Sequence, residues 1–466
     1  MAKSEVITLQ DLKIEGLTDF KMEYLRELTI NHRVGQFATA QLILLPDTLD
    51  KKTFTEDLTI TIKFADKIVF YGVLANYSIT LQNVTLNFAD TSCLLNTVEK
   101  SCSFQNLSEK YSKILEETMK SSETKGKINL NAEDKAIESL KLRINETAWE
   151  FINRMSSELS AMIFTDLTAK TPLINVGLPA PKKTITVKEI KPIYNYDAMT
   201  FAKFKANPKK FAEGVKFINE DFCTLVLTIN DWLNLGDCVK IDDKEYFVKS
   251  LNGYFVETIF MTTYELVSKN AFAVPIIKPI NLVGRVLRAQ VKKVEKDKIQ
   301  CHLIDIDEKF DSNSTTWFTF ATPYSSSDGS GWYVMPEVDD YVRILIADED
   351  LKNAFALSSI NTAPLKDPKN KSFKAPGGRE ILLTDKGVEI IADHQKTFIM
   401  LDKSGGISIV SSKNIEVHAD GNINFDAKGK IQIVSQKEIA IQSGQSHVKL
   451  LSNQIAMGGG NIIVGE

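Results

Sequence analysis

In the last quarter of the chain, apolar positions return every eight residues. Ile407, Ile415, Ile423, Ile431 and Ile439 are spaced by eight, and each has an apolar partner two residues on: Ile409, Val417, Phe425, Ile433 and Ile441. A small residue follows at the fourth step (Ser411, Ala419, Ala427, Ser435, Ser443), and two units turn on glycine at Asp420-Gly421 and Lys428-Gly429. Such alternation predicts strands, because successive strand side chains point to opposite faces. A short strand and turn repeated at one period predicts a stacked β solenoid. The phase extends back through Ile399, Ile391 and Leu383. Forward, it slips by one residue at His447 and returns at Ile455 with Met457 and again at Ile463. Outward positions such as Glu416, His418, Asn422 and Asp426 are polar, so the shaft has a dry face and a wet one.

Upstream, the pattern divides the chain into five further spans. Residues 1–98 alternate over Leu25–Ile30, Gln36–Leu45, Leu58–Phe64, Lys67–Leu74 and Ser78–Phe88, which predicts a first β-barrel. Residues 99–183 form a helical and mixed segment. One helix is expected over Ser108–Lys120 with Ser108 as its cap, and a second from Asn145, with Ala148, Phe151, Ile152, Met155 and Leu159 on its apolar face. Residues 184–274 return to strands as a second β-barrel. Residues 275–364 carry short strands and the polar loop Ser325–Gly331, as in a small barrel of the OB type. Residues 365–378 read as a linker, and 379–466 as the octad spike. The fold class is mainly β with a small α part.

Composition narrows the function classes. The 466 residues are 43% hydrophobic and 25% charged, ordinary globular values, and too many for one core. The net charge of −4 argues against nucleic acid as a partner, because neutralising phosphates needs a basic surface. The five cysteines form no C-x-x-C pair and read as reduced residues rather than disulfides or a zinc site. The first residues lack a signal-peptide core, and no run of eighteen apolar residues occurs. The expectation is synthesis in the cytoplasm and release without a cleavable signal.

The candidate chemistry is thin. His394, His418 and His447 form no H-x-H pair, and His418 falls on the wet face, so surface histidines are favoured over a metal site. Asp420 and Asp426 lie at a turn and an outward position rather than as an acid/base pair across coils. No cysteine has a histidine at motif spacing, and no G-x-S-x-G or phosphate-binding loop occurs. The reading is no catalytic residue, no cofactor and no metal. Trp149, Phe151 and Trp232 are expected in the core.

Several stretches together resemble the hub-and-spike proteins of contractile injection systems, which include myophage tail spikes, late-control D type phage proteins and the VgrG proteins of type VI secretion. Asn145–Asp166, NETAWEFINRMSSELSAMIFTD, is similar to the family's ETDWEF helix. Gly331–Ile346, GWYVMPEVDDYVRILI, resembles its OB entry, with Asp339-Asp340 where the family often has Gly-Asp. Gly377-Gly378-Arg379-Glu380 before Ile381-Leu382-Leu383 resembles its spike start. The resemblance implies a homotrimer adapting the sixfold tube to a threefold needle. Its partners would be a hexameric inner-tube protein, other baseplate proteins, a PAAR-type tip protein and, transiently, the target membrane it punctures.

The repeat alone leaves the assembly open. About ten octads would give one chain only three or so coils, near the minimum for a solenoid. Three intertwined chains would stack one octad per layer into a shaft on the order of 50 Å. The resemblance favours the trimer, with Ile399, Ile407, Ile409, Ile415, Val417, Ile423, Phe425, Ile431, Ile433, Ile439, Ile441 and Ile455 as spike core. The apolar end is expected to meet the tip protein through Met457, Ile462, Ile463 and Val464. The competing reading is a carbohydrate-active β-helix enzyme or adhesin with accessory β-domains.

Overall fold

The computed structural model describes residues 6–463 except 47–53, 56, 189–190, 364–366, 394–395 and 462. It divides into two compact units, 1–362 and 363–466, and is mainly β.

In the first unit, both predicted β spans enter one twelve-stranded sheet. The N-terminal strands run Leu12–Glu15, Thr59–Phe64, Lys67–Ile79, Val84–Asp90, Thr39–Leu44 and Leu25–Arg33 across it. Leu25–Arg33 then pairs antiparallel with Lys244–Val256, Ile30 opposite Gly253. The order continues through Ile259–Val267, Cys223–Ile229 and Ile193–Tyr196. Strict alternation drives this: in Thr59–Phe64 every second residue is buried. The buried sides of both spans form one core, in which Phe64 of the first packs on Phe260 of the second with ring centroids 4.4 Å apart. Trp232 and Phe151 are buried, and half-buried Trp149 packs on Phe37.

The helices start later than their sequence suggests. Helix α1 spans Tyr111–Ser121, not Ser108–Lys120. Ser108 turns its hydroxyl to Asn106, and Asp134 instead accepts from the Ser112 N–H and hydroxyl. Helix α2 spans Ala148–Glu158. Asn145 stays in the strand Lys141–Thr147 with φ 51°, and Thr147 is the cap, closing a capping box with Glu150. Glu146, just before the cap, pairs with Arg154 at 2.6 Å. Thr147→Ala is expected to cost about 1 kcal/mol in a denaturant titration, and Thr147→Asn very little.

Residues 286–359 fold as a five-stranded barrel ordered Phe318–Thr319, Lys298–His302, Val286–Glu295, Tyr341–Leu345, Phe355–Ser359. A parallel bridge from Phe320 to Ala356 joins its two ends. Its core of Leu287, Val291, Ile299, Phe318 and Ile344 continues into Leu140, Leu142 and Ile144 of the helical segment. Asp307 accepts from the Ser103 N–H and hydroxyl across the same junction.

Among the described residues, the second unit contains no closed solenoid within one chain. Lys371–Lys374, Glu380–Leu383, Gly387–Asp393, Thr397–Asp402 and Gly406–Ser411 form an antiparallel meander, each strand pairing with the next. The first of these lies inside the stretch read as linker. Glu438–Ser443, Ser446–Leu451 and Ile455–Gly458 form a second, shorter meander.

Candidate functional site

The octad repeat occupies three settings in the second unit. In the five-stranded meander the register stacks Ile381, Ile390, Ile399 and Ile409 in one cross-strand row, and Leu383, Val388, Leu401 and Ile407 in the row beside it. Residues two apart share a face, so these eight side chains make one apolar surface. It is bare: Ile399 is 39% exposed, Ile409 59% and Ile407 71%. Ile391 departs from its predicted phase. It pairs with Phe398 on the opposite face, is 4% exposed, and adjoins a register shift before Asp393.

Between the meanders, the predicted period survives without pairing. Bends fall at Ser412-Lys413, Asp420-Gly421, Lys428-Gly429 and Gln436-Lys437, eight residues apart. The six-residue stretches between them carry Ile415 and Val417, Ile423 and Phe425, then Ile431 and Ile433. Among the described residues, 412–437 form no strand and make no backbone-to-backbone hydrogen bond. The six apolar side chains are exposed, Phe425 the most at 79%.

The terminal meander resolves the slip at His447. Ile439 stands across from Leu450, which faces Ile455, and Ile441 across from Val448, which faces Met457. The hairpin turn at Gly444 (φ 55°) moves the apolar phase by one residue and keeps both rows on one face. Ile455, Met457 and Ile463 are exposed; Ile462 and Val464 lie outside the described residues. The two meanders thus place Ile399, Ile407 and Ile409 on one shared face and Ile439, Ile441 and Ile455 on another without burying them, whereas the six predicted spike residues of 412–437 lie in no sheet. Ile381, Val388, Ile390 and Leu401 belong to the first of these faces and were missed because eight-residue spacing was followed where cross-strand pairing governs.

Elsewhere the reactive side chains are held in inert settings. Burial pushes the Cys301 thiol up to about 12, and those of Cys93 and Cys102 up to about 11, so all three stay protonated at neutral pH. His302 donates from Nε2 to the Asp307 carbonyl, 2.9 Å away. His32, fully buried, is driven by desolvation down to about 3 and is neutral. Its Nε2 meets the Thr165 hydroxyl at 2.8 Å, which in turn donates to Asp90 at 3.2 Å. Nε2 therefore carries the hydrogen. A cavity of about 170 Å³ beside this relay is also lined by Asp166 and Lys182, which pair with each other at 3.1 Å. His418 is exposed on the middle stretch, 3.7 Å from Glu416; His394 lies outside the described residues. Among the described residues, no group of three or more His, Cys, Asp or Glu side chains is arranged to hold a metal ion.

Residues 284–360, the five-stranded barrel, match the family described as the type VI secretion system/phage-baseplate injector OB domain. No curated protein matches the chain as a whole. Among solved structures, the E. coli c3393 protein superposes with a TM-score of 0.53 at 13% identity, over 75% of this chain and 99% of its own. That protein is described as a type VI secretion component structurally similar to the T4 bacteriophage tail proteins gp27 and gp5. A chain of the lidded Francisella PdpA–VgrG complex gives a TM-score of 0.50 at 9% identity, over 85% of this chain and 79% of its own. By sequence over its OB barrel, and by fold over three quarters of its length, the chain resembles the hub-and-spike proteins of contractile injection systems.

Proposed function

We propose that the chain is the subunit of a homotrimeric central spike. It would connect the inner tube of a contractile injection system to its tip and puncture the target envelope mechanically, without catalysis. The observation that carries this reading is the stretch 412–437. A backbone turning every eight residues, with its apolar side chains bare and no pairing among the described residues, would become strands on meeting partners. Three copies supply them with identical period, so each octad meets the same octad of its neighbours.

The meanders fit the same symmetry. Three five-stranded sheets can turn their bare rows of Ile381, Ile390, Ile399 and Ile409 toward a common axis, and the terminal sheets can do likewise with Ile439, Leu450 and Ile455. Fully burying one Ile or Phe contributes roughly 1.5–3 kcal/mol, so the twelve predicted core side chains represent at most about 18–36 kcal/mol of gross burial per chain. Closure also removes the open strand edges that would otherwise recruit foreign chains. Residues 1–274, the twelve-stranded sheet with its helical segment, would form the hub that seats on a hexameric inner-tube ring and contacts other baseplate proteins. The OB barrel would form a collar, and 379–466 the needle. The particle would be assembled in the cytoplasm and delivered outside the cell.

The shaft would end on a PAAR-type tip protein bound through Met457, Ile462, Ile463 and Val464, because a solenoid end needs a cap. The full-length protein is expected to retain a PAAR-type protein in a pull-down and the chain truncated before Gly458 to lose it. Equal recovery would assign capping to the trimer itself. Mass in solution tests the wider reading: a trimer supports the spike, whereas a stable monomer favours a carbohydrate-active enzyme or adhesin.

A further inference from the structure

A second unpartnered surface lies in the first unit, away from the octads. The strand Ile193–Tyr196 ends the path of the twelve-stranded sheet and, among the described residues, pairs only with Cys223–Ile229. All four of its residues are exposed. Helix α3, Ala198–Ala206, follows after Asp197, whose carboxylate caps it by accepting from the Thr200 N–H. None of its residues is buried. It is supported locally, by Phe204 packed among Phe211, Phe217 and Phe222 at 4.7–5.7 Å. The result is a lobe bearing Met199 (80% exposed), Ile193 (66%), Tyr194 (62%) and Ile218 (58%).

Charge says what the lobe would take. Residues 188–218 hold seven lysines against three acidic residues, in a chain whose net charge is −4. All seven lysines are exposed, including Lys203, Lys205, Lys209 and Lys210. Proteins often guard an edge strand by placing charges within it. Here the strand itself, Ile193-Tyr194-Asn195-Tyr196, carries no charge, and the lysines lie in the segments on either side of it in sequence. A twofold pairing of two such lobes would bring like charges together, which disfavours a second copy docked lobe to lobe.

We infer that this lobe is a docking site for a protein partner that adds an acidic edge strand to Ile193–Tyr196. Main-chain hydrogen bonds would supply the register, Met199 and Ile193 the apolar contact, and the lysines the selectivity for Glu and Asp side chains. The site does not depend on the shaft or its trimerisation.

The test uses the full-length protein and a labelled eight-residue peptide of alternating Glu and Val, read by anisotropy and by amide exchange. Saturable binding is expected, with slowed exchange at 193–196. Binding should weaken about tenfold for the Lys/Val peptide and for the exposed triple variant Lys203→Glu/Lys205→Glu/Lys209→Glu. Met199→Ser should weaken it without changing charge, and unaltered thermal melts would show that both variants fold. Four results would overturn the inference: no binding of the acidic peptide, equal binding of both peptides, binding of anionic phospholipid vesicles in place of the peptide, or amides at 193–196 already protected by a neighbouring copy.

Discussion

On the proposed threefold shaft, Ile423→Asp combined with Ile431→Asp is expected to give a species of single-chain mass, 52.2 kDa, where the unmodified protein gives a trimer. Both residues lie in the stretch 412–437, where the chain offers neither strand partner nor cover, and both are about half exposed in the single chain. A carboxylate there costs one isolated chain almost nothing. In a three-chain shaft the same substitution buries three carboxylates per layer around one axis, unpaired and repelling. Burying even one uncompensated charge costs several kcal/mol, so two such layers outweigh the local burial gain. The hub should survive, because 1–362 forms its own compact unit. Circular dichroism of the variant should therefore retain folded signal while light scattering reports the monomer. Trimers of the double variant that resist SDS would show that the octads do not hold the chains together.

Arg154→Met is expected to destabilise the hub by about 3–5 kcal/mol, and Glu146→Gln by a similar amount. The Arg154 guanidinium pairs with Glu146 at 2.6 Å and also donates to the Leu142 carbonyl; the two side chains are 4% and 12% exposed. The guanidinium lies over the Phe151 ring, 5.0 Å from its centroid. Removing either partner leaves the other charged and shielded from water, and it is this orphaned charge that makes the loss large. The double variant should recover part of the loss, because neither buried charge then remains. Denaturant titration of the four proteins in a double-mutant cycle checks this: additive losses would mean that the pair is not coupled. The pair fastens α2 to the strand Lys141–Thr147, whose Leu142 and Ile144 also pack against the OB barrel core, so the effect should extend to the barrel.

What the sequence revealed depended on the distance over which each feature is encoded. The octads were legible because apolar phase and bend both recur within eight residues, and the bends at Asp420-Gly421 and Lys428-Gly429 stand where the glycines predict. The start of α1 was not, because Asp134, which accepts from the Ser112 N–H and hydroxyl in its first turn, lies 22 residues downstream of Ser112. Thr147 with Glu150 was a readable capping box, but Asn145 two residues earlier competed for the same role. The junction of Leu25–Arg33 with Lys244–Val256 joins segments more than two hundred residues apart, and strand alternation cannot name its partner. Ile391 shows the same limit at short range: a register shift changed its face while its spacing stayed at eight.

The lone chain also explains why the spike residues look unlike a core. Ile407, Phe425 and Ile433 are about 70–80% exposed. A soluble chain rarely leaves so long an apolar row in water unless another surface covers it. The repeated phase makes an identical chain the natural cover.

Amide hydrogen exchange across residues 412–437 of the full-length protein tests the threefold shaft most directly. No described residue of the chain pairs with this backbone, so lasting protection would come from other chains. The account predicts slow exchange through all three octads, lost together in the Ile423→Asp/Ile431→Asp variant. Exchange at the rate of an unstructured peptide in the unmodified protein would contradict it.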